Sequence, residues 1–453
     1  MKFVSVNPFT QEPIADFEIE NSGIIEKKLF LAEKTFLTWK KIKLNLRIDL
    51  ALKLAQKLED NKTKLAEAIT LEMGKTFKES LAEIEKCYIS IRYFALNSET
   101  YLQTQSVISV AKESYFSFEP TGCILAIMPW NFPFWQALRF AIPTILAGNV
   151  VLLKHAPNVQ ICANLLEKMF LEAGFEGGVF QNICVDIPQI EKIISSKIVT
   201  GVTLTGSSKA GASVAGLAGK YLKKSVLELG GSDPFIVLED ADLQIAAKMA
   251  VKSRFQNAGQ TCIAAKRWIV CEKIYENFVE EVIKSSKNII AGDPFDKNTV
   301  IGPMSRIDLA EKVISQKREL IKYGANELLK SEYLNCLVSP GILAISRELS
   351  HSFSEEIFGP IACIIKAKNE FEAIEIANET NFGLGASLWS ANIEKAKTLG
   401  SSIQAGSIFI NTMVKSDASL PFGGTKASGF GRELGAIGFH EFTNIKTYWV
   451  ENS

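Results

Sequence analysis

The spacing of hydrophobic positions divides this chain into stretches of different character. Over residues 25–96 apolar side chains recur at helical spacing, as at Ala51, Leu54 and Leu58 among Lys and Glu. That predicts helices packed by one face. Asp60, Asn61 and Lys62 form a polar break between two of them. Over residues 101–119 the pattern tightens to near-alternation around Phe116 and Phe118, with Val107, Ile108 and Val110 before them, which predicts a strand hairpin. Unbroken apolar runs follow. Residues 122–128 and 149–154 read as strands buried on both faces, and residues 134–147 as a helix between them. Strand, helix, strand is the unit of an open parallel sheet.

The alternation persists. Residues 199–205 predict a strand, followed by a turn over 206–211 and a small-residue helix to Leu222. Further strands are expected at 225–229 and 233–238, with a helix at 242–255. Strand–helix pairs are expected at 267–287 and 361–377, and another strand at 408–410. The tail, residues 444–450, has strand composition and is expected to add to the sheet edge of a partner subunit.

A chain of 453 residues exceeds what one hydrophobic core supports, so two or three domains are expected. Lys plus Arg and Asp plus Glu both number 50, which leaves no electrostatic footprint for nucleic acid or an anionic membrane. Residues 137–153 are interrupted by Arg139, Pro143 and Asn149 and are too short for a membrane span. The N-terminus shows neither signal nor transit pattern, so the expectation is a cytoplasmic protein. The 8 cysteines are scattered without a C-x-x-C pair, and His155, His351 and His440 are isolated. A disulfide framework, a metal centre and a conventional Ser/His/Asp triad are therefore not expected.

Four segments carry candidate chemistry. In Asn257-Ala258-Gly259-Gln260-Thr261-Cys262 the cysteine precedes a helix-like Ile263-Ala264-Ala265-Lys266. At a helix N-terminus the dipole would favour the thiolate; a buried packing cysteine is the plainer alternative. Glu228 ends an apolar strand before Gly230-Gly231, where lost hydration would raise its pKa toward that of a general base, unless the turn leaves it solvated. Pro129-Trp130-Asn131-Phe132-Pro133 holds one Asn between two prolines, which suits either an oxyanion donor or a plain turn. Gly206-Ser207 with Gly211, between a strand and a helix, suits phosphate binding but is not the G-x-G-x-x-G fingerprint.

Together with Glu355-Glu356-Ile357-Phe358-Gly359-Pro360 and Pro421-Phe422-Gly423-Gly424-Thr425-Lys426, these segments resemble the aldehyde dehydrogenase superfamily. The resemblance runs from Val6-Asn7-Pro8 to the C-terminal strand and includes the 34-residue interval between Glu228 and Cys262. It implies an α/β fold. A Rossmann-like dinucleotide-binding domain would span residues 1–100 and 121–229, an α/β catalytic domain 230–432, and a small β oligomerisation element 101–120 and 433–453. It implies that Cys262 attacks the aldehyde carbon. Asn131 and the Cys262 N–H would hold the oxyanion, hydride would pass to a nicotinamide, and Glu228 would activate the water that cleaves the thioester. It implies NAD or NADP as cofactor. Lys154 and Glu356 would form the ribose pair, Gly206 and Ser207 would lie at the pyrophosphate, and Trp130 and Phe358 would line the site. Pro157 stands where NAD-preferring members often carry Glu, so NADP is permitted and not required. A homodimer or homotetramer is implied.

Lys154-His155-Ala156-Pro157-Asn158 and Gly429-Phe430-Gly431-Arg432-Glu433-Leu434 are similar to the succinate-semialdehyde dehydrogenase branch. By that resemblance Arg139 and Ser416 would bind the substrate carboxylate. The alternative for Arg139 is a salt-bridged helix arginine. Gln256 replaces a second arginine found in some members, and Ala264 replaces a second cysteine. Other readings are oxidation of glutarate semialdehyde, lactaldehyde or an aliphatic aldehyde; reduction of an acyl phosphate or acyl-CoA, which needs no base such as Glu228; and a non-catalytic binding protein on the same fold.

Overall fold

Four helices open the chain after a short antiparallel hairpin: Ser22–Trp39, Leu44–Asp60, Lys62–Met73 and Phe77–Leu102. The computed structural model describes residues 2–353 and 355–451. The polar break falls where expected, with Asn61 between the second and third helices. Phe77–Leu102 starts at a capping box. Thr76 Oγ1 accepts the Glu79 N–H at 3.3 Å, and the Glu79 carboxylate accepts the Thr76 N–H at 3.2 Å. Such a cap is worth about 1 kcal/mol. The same helix carries Glu83 and Lys86, three residues apart and so on neighbouring positions of one face.

The first large sheet has the order Gly429–Phe430, Lys224–Glu228, Val199–Thr205, Cys123–Met128, Val150–His155, Phe180–Asn182. All neighbours are parallel except Gly429–Phe430, which runs antiparallel to Lys224–Glu228. Every residue of Val150–His155 is buried, which explains its unbroken apolar run. From Cys123–Met128 the chain builds outward to one edge, then returns to build the other from Val199–Thr205. The switch point between those two strands is where open α/β sheets bind ligands, beyond the carboxyl ends. The segments leaving it are Pro129-Trp130-Asn131 and Gly206-Ser207.

A second sheet has the order Asn326–Leu329, Gly341–Ala344, Ile361–Ala367, Arg267–Cys271, Pro234–Val237, Gly385–Trp389, Ser407–Ile410, parallel apart from its first strand. Helices pack on both faces and give it a core on each side. The loop between the helix Leu243–Phe255 and the strand Arg267–Cys271 carries Cys262 toward the first sheet.

A third sheet joins Gln105–Ser106, Glu113–Pro120 and Thr443–Val450. The tail strand pairs antiparallel with Glu113–Pro120 of its own chain along its whole length. Its other edge has no strand beside it among the described residues, and Ile445 and Trp449 on it are exposed. Residues 101 and 102 belong to the preceding helix, so the hairpin begins later. Gly429–Phe430, assigned from the sequence to the second α/β unit, sits in the first sheet. Among the described residues no helix is long and apolar enough to cross a membrane, and no cluster of His, Cys, Asp or Glu could hold a metal ion.

Candidate active site

Cys262 lies at the end of a strained turn clamped by two buried cations. Asn257, Ala258 and Gly259 have φ of 52°, 51° and 72°. Non-glycine residues in that region cost on the order of 1 kcal/mol or more each. At Gly259 a Cβ would meet the Gly359 carbonyl oxygen at 2.5 Å, so a side chain cannot be placed there. Fully buried Arg254 holds the turn from one side, donating to the carbonyls of Gly259, Ile357, Gly359 and Ile361. Lys266 holds it from the other. Its Nζ donates to the Thr261 carbonyl at 2.9 Å and the Cys262 carbonyl at 2.7 Å, and pairs with Glu356 at 3.0 Å. Neither clamp was recognised from sequence. Their signal was no more than a charged residue in an apolar segment.

The helix expected after Cys262 does not form. Residues 261–264 make a turn that runs directly into the strand Arg267–Cys271. Ile263-Ala264-Ala265 is too short to pay for helix nucleation before the sheet claims the chain. No helix dipole therefore acts on the thiol. Desolvation pushes it up to about 12, while the charges of Arg139 and Lys266 pull it down.

Asn131 is buried beside this turn. Its Nδ2 donates to the Gln260 carbonyl at 3.0 Å, and its own carbonyl accepts from Asn257 Nδ2 at 3.0 Å. A carboxamide nitrogen has two hydrogens, so one fixes the group and one is left. The Cys262 N–H has no acceptor among the described residues. Two donors are thus left without an acceptor, on two residues that line one cavity.

Glu228 is the last residue of its strand and is buried. Neither carboxylate oxygen has a hydrogen-bond partner. Burial comes first and the neighbouring Glu433 second in raising its pKa well above the ordinary carboxylate range. Arg139 forms an ion pair with Glu433, both buried. One guanidinium balances one carboxylate, which favours the neutral form of the other, Glu228.

That ion pair also revises the expectation for Arg139. The residue does border a cavity, but its charge is committed to Glu433, with a further contact to Thr205 Oγ1 at 3.4 Å and the Phe422 ring at 5.0 Å. The salt-bridge alternative is what the structure shows. Arg139→Ala is expected to destabilise the protein by about 3 kcal/mol through the orphaned Glu433. The loss should be smaller at pH 5 than at pH 8, because Glu433 can then take up a proton. Denaturant unfolding at the two pH values checks this; an unchanged midpoint would contradict it.

Cys262 and Gln136 each border two cavities. The first, with about 900 Å³ of empty space that opens to solvent, is lined by Lys86, Trp135, Arg139, Val414, Ser416 and Phe422 among others. Ser416, expected at the substrate, is one of these lining residues. Lys86 was not foreseen: its spacing among Glu83, Glu85 and Cys87 reads as an ordinary surface-helix lysine.

The second cavity, about 1110 Å³, opens at the sheet switch point. Trp130, Asn131, Gly206, Ser207, Glu356 and Phe358 line it. Ser207 caps the helix Ser208–Lys220, its side chain accepting the Ala210 N–H at 3.3 Å. The first-turn N–H groups therefore face the groove, which suits a pyrophosphate. Trp130 and Phe358 stand edge to face, 5.9 Å apart. Leu309, Lys312, Val313 and Gln316 complete the wall from the helix Ile307–Lys322, an element not anticipated from sequence. Glu356 pairs with Lys266 and accepts the Gly231 N–H at 3.2 Å. Lys154 is the next-to-last residue of its strand, buried and outside the groove's lining, where burial lowers its pKa. Pro157 is exposed at the start of a short 3-10 turn and is not part of the lining.

A thiol bordering two cavities, one of them at the switch point of a parallel sheet, suits a cysteine-dependent, nucleotide-linked dehydrogenase. Residues 1–448 match the aldehyde dehydrogenase family, and the chain belongs to that family. It is 42% identical to the probable NADP(+) succinate-semialdehyde dehydrogenase of Synechocystis, over 99% of this chain and 100% of that protein. It is 40% identical to the NAD(P)+ succinate semialdehyde dehydrogenase of Escherichia coli K12, over 99% of this chain and 98% of the relative. The crystal structure of succinic semialdehyde dehydrogenase from Streptococcus pyogenes in complex with NADP+ superposes with a TM-score of 0.97 at 36% identity, covering 99% of this chain and 100% of that one.

Proposed function

We propose that the protein oxidises succinate semialdehyde to succinate with NADP or NAD, as a cytosolic homo-oligomer. The observation that carries this reading is the position of Cys262 in the lining of both cavities. The sulfur attacks the aldehyde carbon as the thiolate, favoured locally by the charges of Arg139 and Lys266. The free Asn131 N–H and the Cys262 N–H receive the oxyanion that forms. A donor of this kind contributes about 3–4 kcal/mol to lowering the barrier.

Trp130, Phe358, Glu356, Gly206 and Ser207 would hold the dinucleotide, with Lys154 at the end of the neighbouring strand. When bound, the nicotinamide supplies the hydride acceptor. The resulting Cys262 thioester is then cleaved by water. Glu228 serves as the base after its carboxyl turns from Glu433 toward the sulfur and gives up its proton. Turning removes the repulsion from Glu433 and exposes the group to water, both of which lower its pKa. The free outer edge of Thr443–Val450, with exposed Ile445 and Trp449, supports pairing with another copy.

Reduced nicotinamide formation with succinate semialdehyde and with hexanal, using NADP and NAD separately, tests the assignment. Succinate semialdehyde is expected to be strongly preferred and NADP to be accepted, because exposed Pro157 offers no carboxylate to repel a 2′-phosphate. Good turnover of hexanal with little of succinate semialdehyde would overturn the substrate.

A further inference from the structure

The cavity that holds Arg139 also holds a cation with no carboxylate partner. Glu83, one turn before Lys86, is fully committed. Its Oε2 pairs with Lys75 at 2.6 Å, and its Oε1 accepts the N–H groups of Phe134 and Trp135 at 2.9 and 3.0 Å. Arg139 is committed to Glu433. Asp417 accepts from the N–H and hydroxyl of Ser419 at 3.0 and 2.6 Å. Lys86 Nζ instead donates to Ser416 Oγ at 2.7 Å and lies 4.2 Å from the centre of the Trp135 ring. Among the described residues it makes no ion pair.

The hydrogen-bond inventory around Ser416 is informative. Trp135 Nε1 also donates to Ser416 Oγ, at 3.2 Å. The serine oxygen therefore accepts twice, which uses both lone pairs and leaves its own hydrogen to donate. Lys86 has three N–H bonds and spends one on Ser416. A hydroxyl donor and an ammonium thus stand side by side in the cavity that Cys262 borders. The set lacks an acceptor with room for more than one hydrogen bond, and a carboxylate supplies that.

We propose that Lys86 is a further residue of the substrate-carboxylate subsite beside Ser416, and that its ammonium adds to the preference for an anionic over a neutral aldehyde. This rests on the proposed aldehyde oxidation and deepens it. The electrostatics agree. Burial, with Arg139 adding repulsion, brings the Lys86 ammonium down to about 8. A substrate carboxylate restores the missing countercharge. Because the charged form binds the carboxylate, the advantage of the anionic substrate should fade as pH rises past about 8. The groups facing Lys86 are Glu83 and Cys87 from its own helix, Arg139 from the helix Trp135–Leu146, and Asp417 from the following loop. Lys415 is exposed at the same cavity.

The experiment compares Lys86→Met with the unaltered enzyme on succinate semialdehyde and on butanal, its neutral counterpart of equal chain length. On succinate semialdehyde kcat/KM should fall at least tenfold, through KM, as expected for loss of a charge-assisted contact. On butanal the change should be much smaller. Lys86→Arg should restore most of the difference, and Ser416→Ala should shift the ratio in the same direction by less. The ratio of the two kcat/KM values in the unaltered enzyme should also decline above pH 8. Equal losses on both substrates would reduce Lys86 to a structural role and overturn the subsite. An undiminished preference in Lys86→Met would do the same. If Lys86→Met does not fold, the ratio measured in Ser416→Ala and Lys86→Arg decides. An unaltered enzyme that does not favour succinate semialdehyde over butanal overturns the substrate assignment instead.

Discussion

Cys262→Ala is expected to lower turnover by roughly 10⁴-fold or more, because no other group can form the covalent intermediate. The chain has seven further cysteines, and each is buried away from both cavities. Cys262 alone is part-exposed, so substitution cannot be covered by a neighbour. The fold should survive, since alanine fits the turn that Arg254 and Lys266 hold through backbone carbonyls. Thermal unfolding close to that of the unaltered protein would confirm that chemistry, not structure, was lost. A companion readout is alkylation by iodoacetamide. With the thiol pushed up to about 12, the thiolate fraction near neutrality is small and grows with pH. The alkylation rate of the cofactor-free protein should therefore keep rising through pH 9 and above. A plateau near pH 7 would show a thiolate stabilised by something other than the charges of Arg139 and Lys266.

Glu228→Gln should separate hydride transfer from hydrolysis. The two side chains have nearly the same shape, and neither Glu228 oxygen makes a hydrogen bond that the substitution would break. Removing one of two adjacent buried carboxyls leaves the Arg139–Glu433 pair intact, so stability should hold. The amide cannot accept the proton of water. A single burst of reduced cofactor, about one equivalent per site, should be followed by a steady state slowed by about 10²–10⁴-fold. Rapid mixing with absorbance detection reads both phases. An unchanged steady-state rate would remove Glu228 as the base, and loss of the burst itself would place it before hydride transfer.

The sequence was most legible where burial is symmetric. Residues 150–153 and 234–237 are apolar without interruption because both sheet faces are covered, and these strands, like that at 199–205, fall where the pattern places them. A helix start was legible where Asp242 caps it, whereas the helix capped by Ser207 begins inside the stretch read as a turn. Contacts set by the meeting of distant segments were not. Lys266, ninety residues before Glu356 in the chain, reaches that carboxylate at 3.0 Å, and no local pattern announces that contact. The helix after Cys262 fails because the second sheet takes residues 267–271 directly. Arg139 read equally well as a substrate ligand or a salt-bridged residue, and only the fold brings Glu433 to it. Lys86 was silent because its partner, Ser416, is 330 residues away.

The central claim is that an aldehyde becomes a thioester on Cys262. Peptide mass spectrometry of Glu228→Gln, quenched in acid after mixing with succinate semialdehyde and NADP, tests it most directly. The account predicts a succinyl group on the peptide containing Cys262, absent when NADP is omitted and lost on treatment with hydroxylamine. A burst of reduced cofactor with Cys262 unmodified, or the acyl group on another residue, would contradict it.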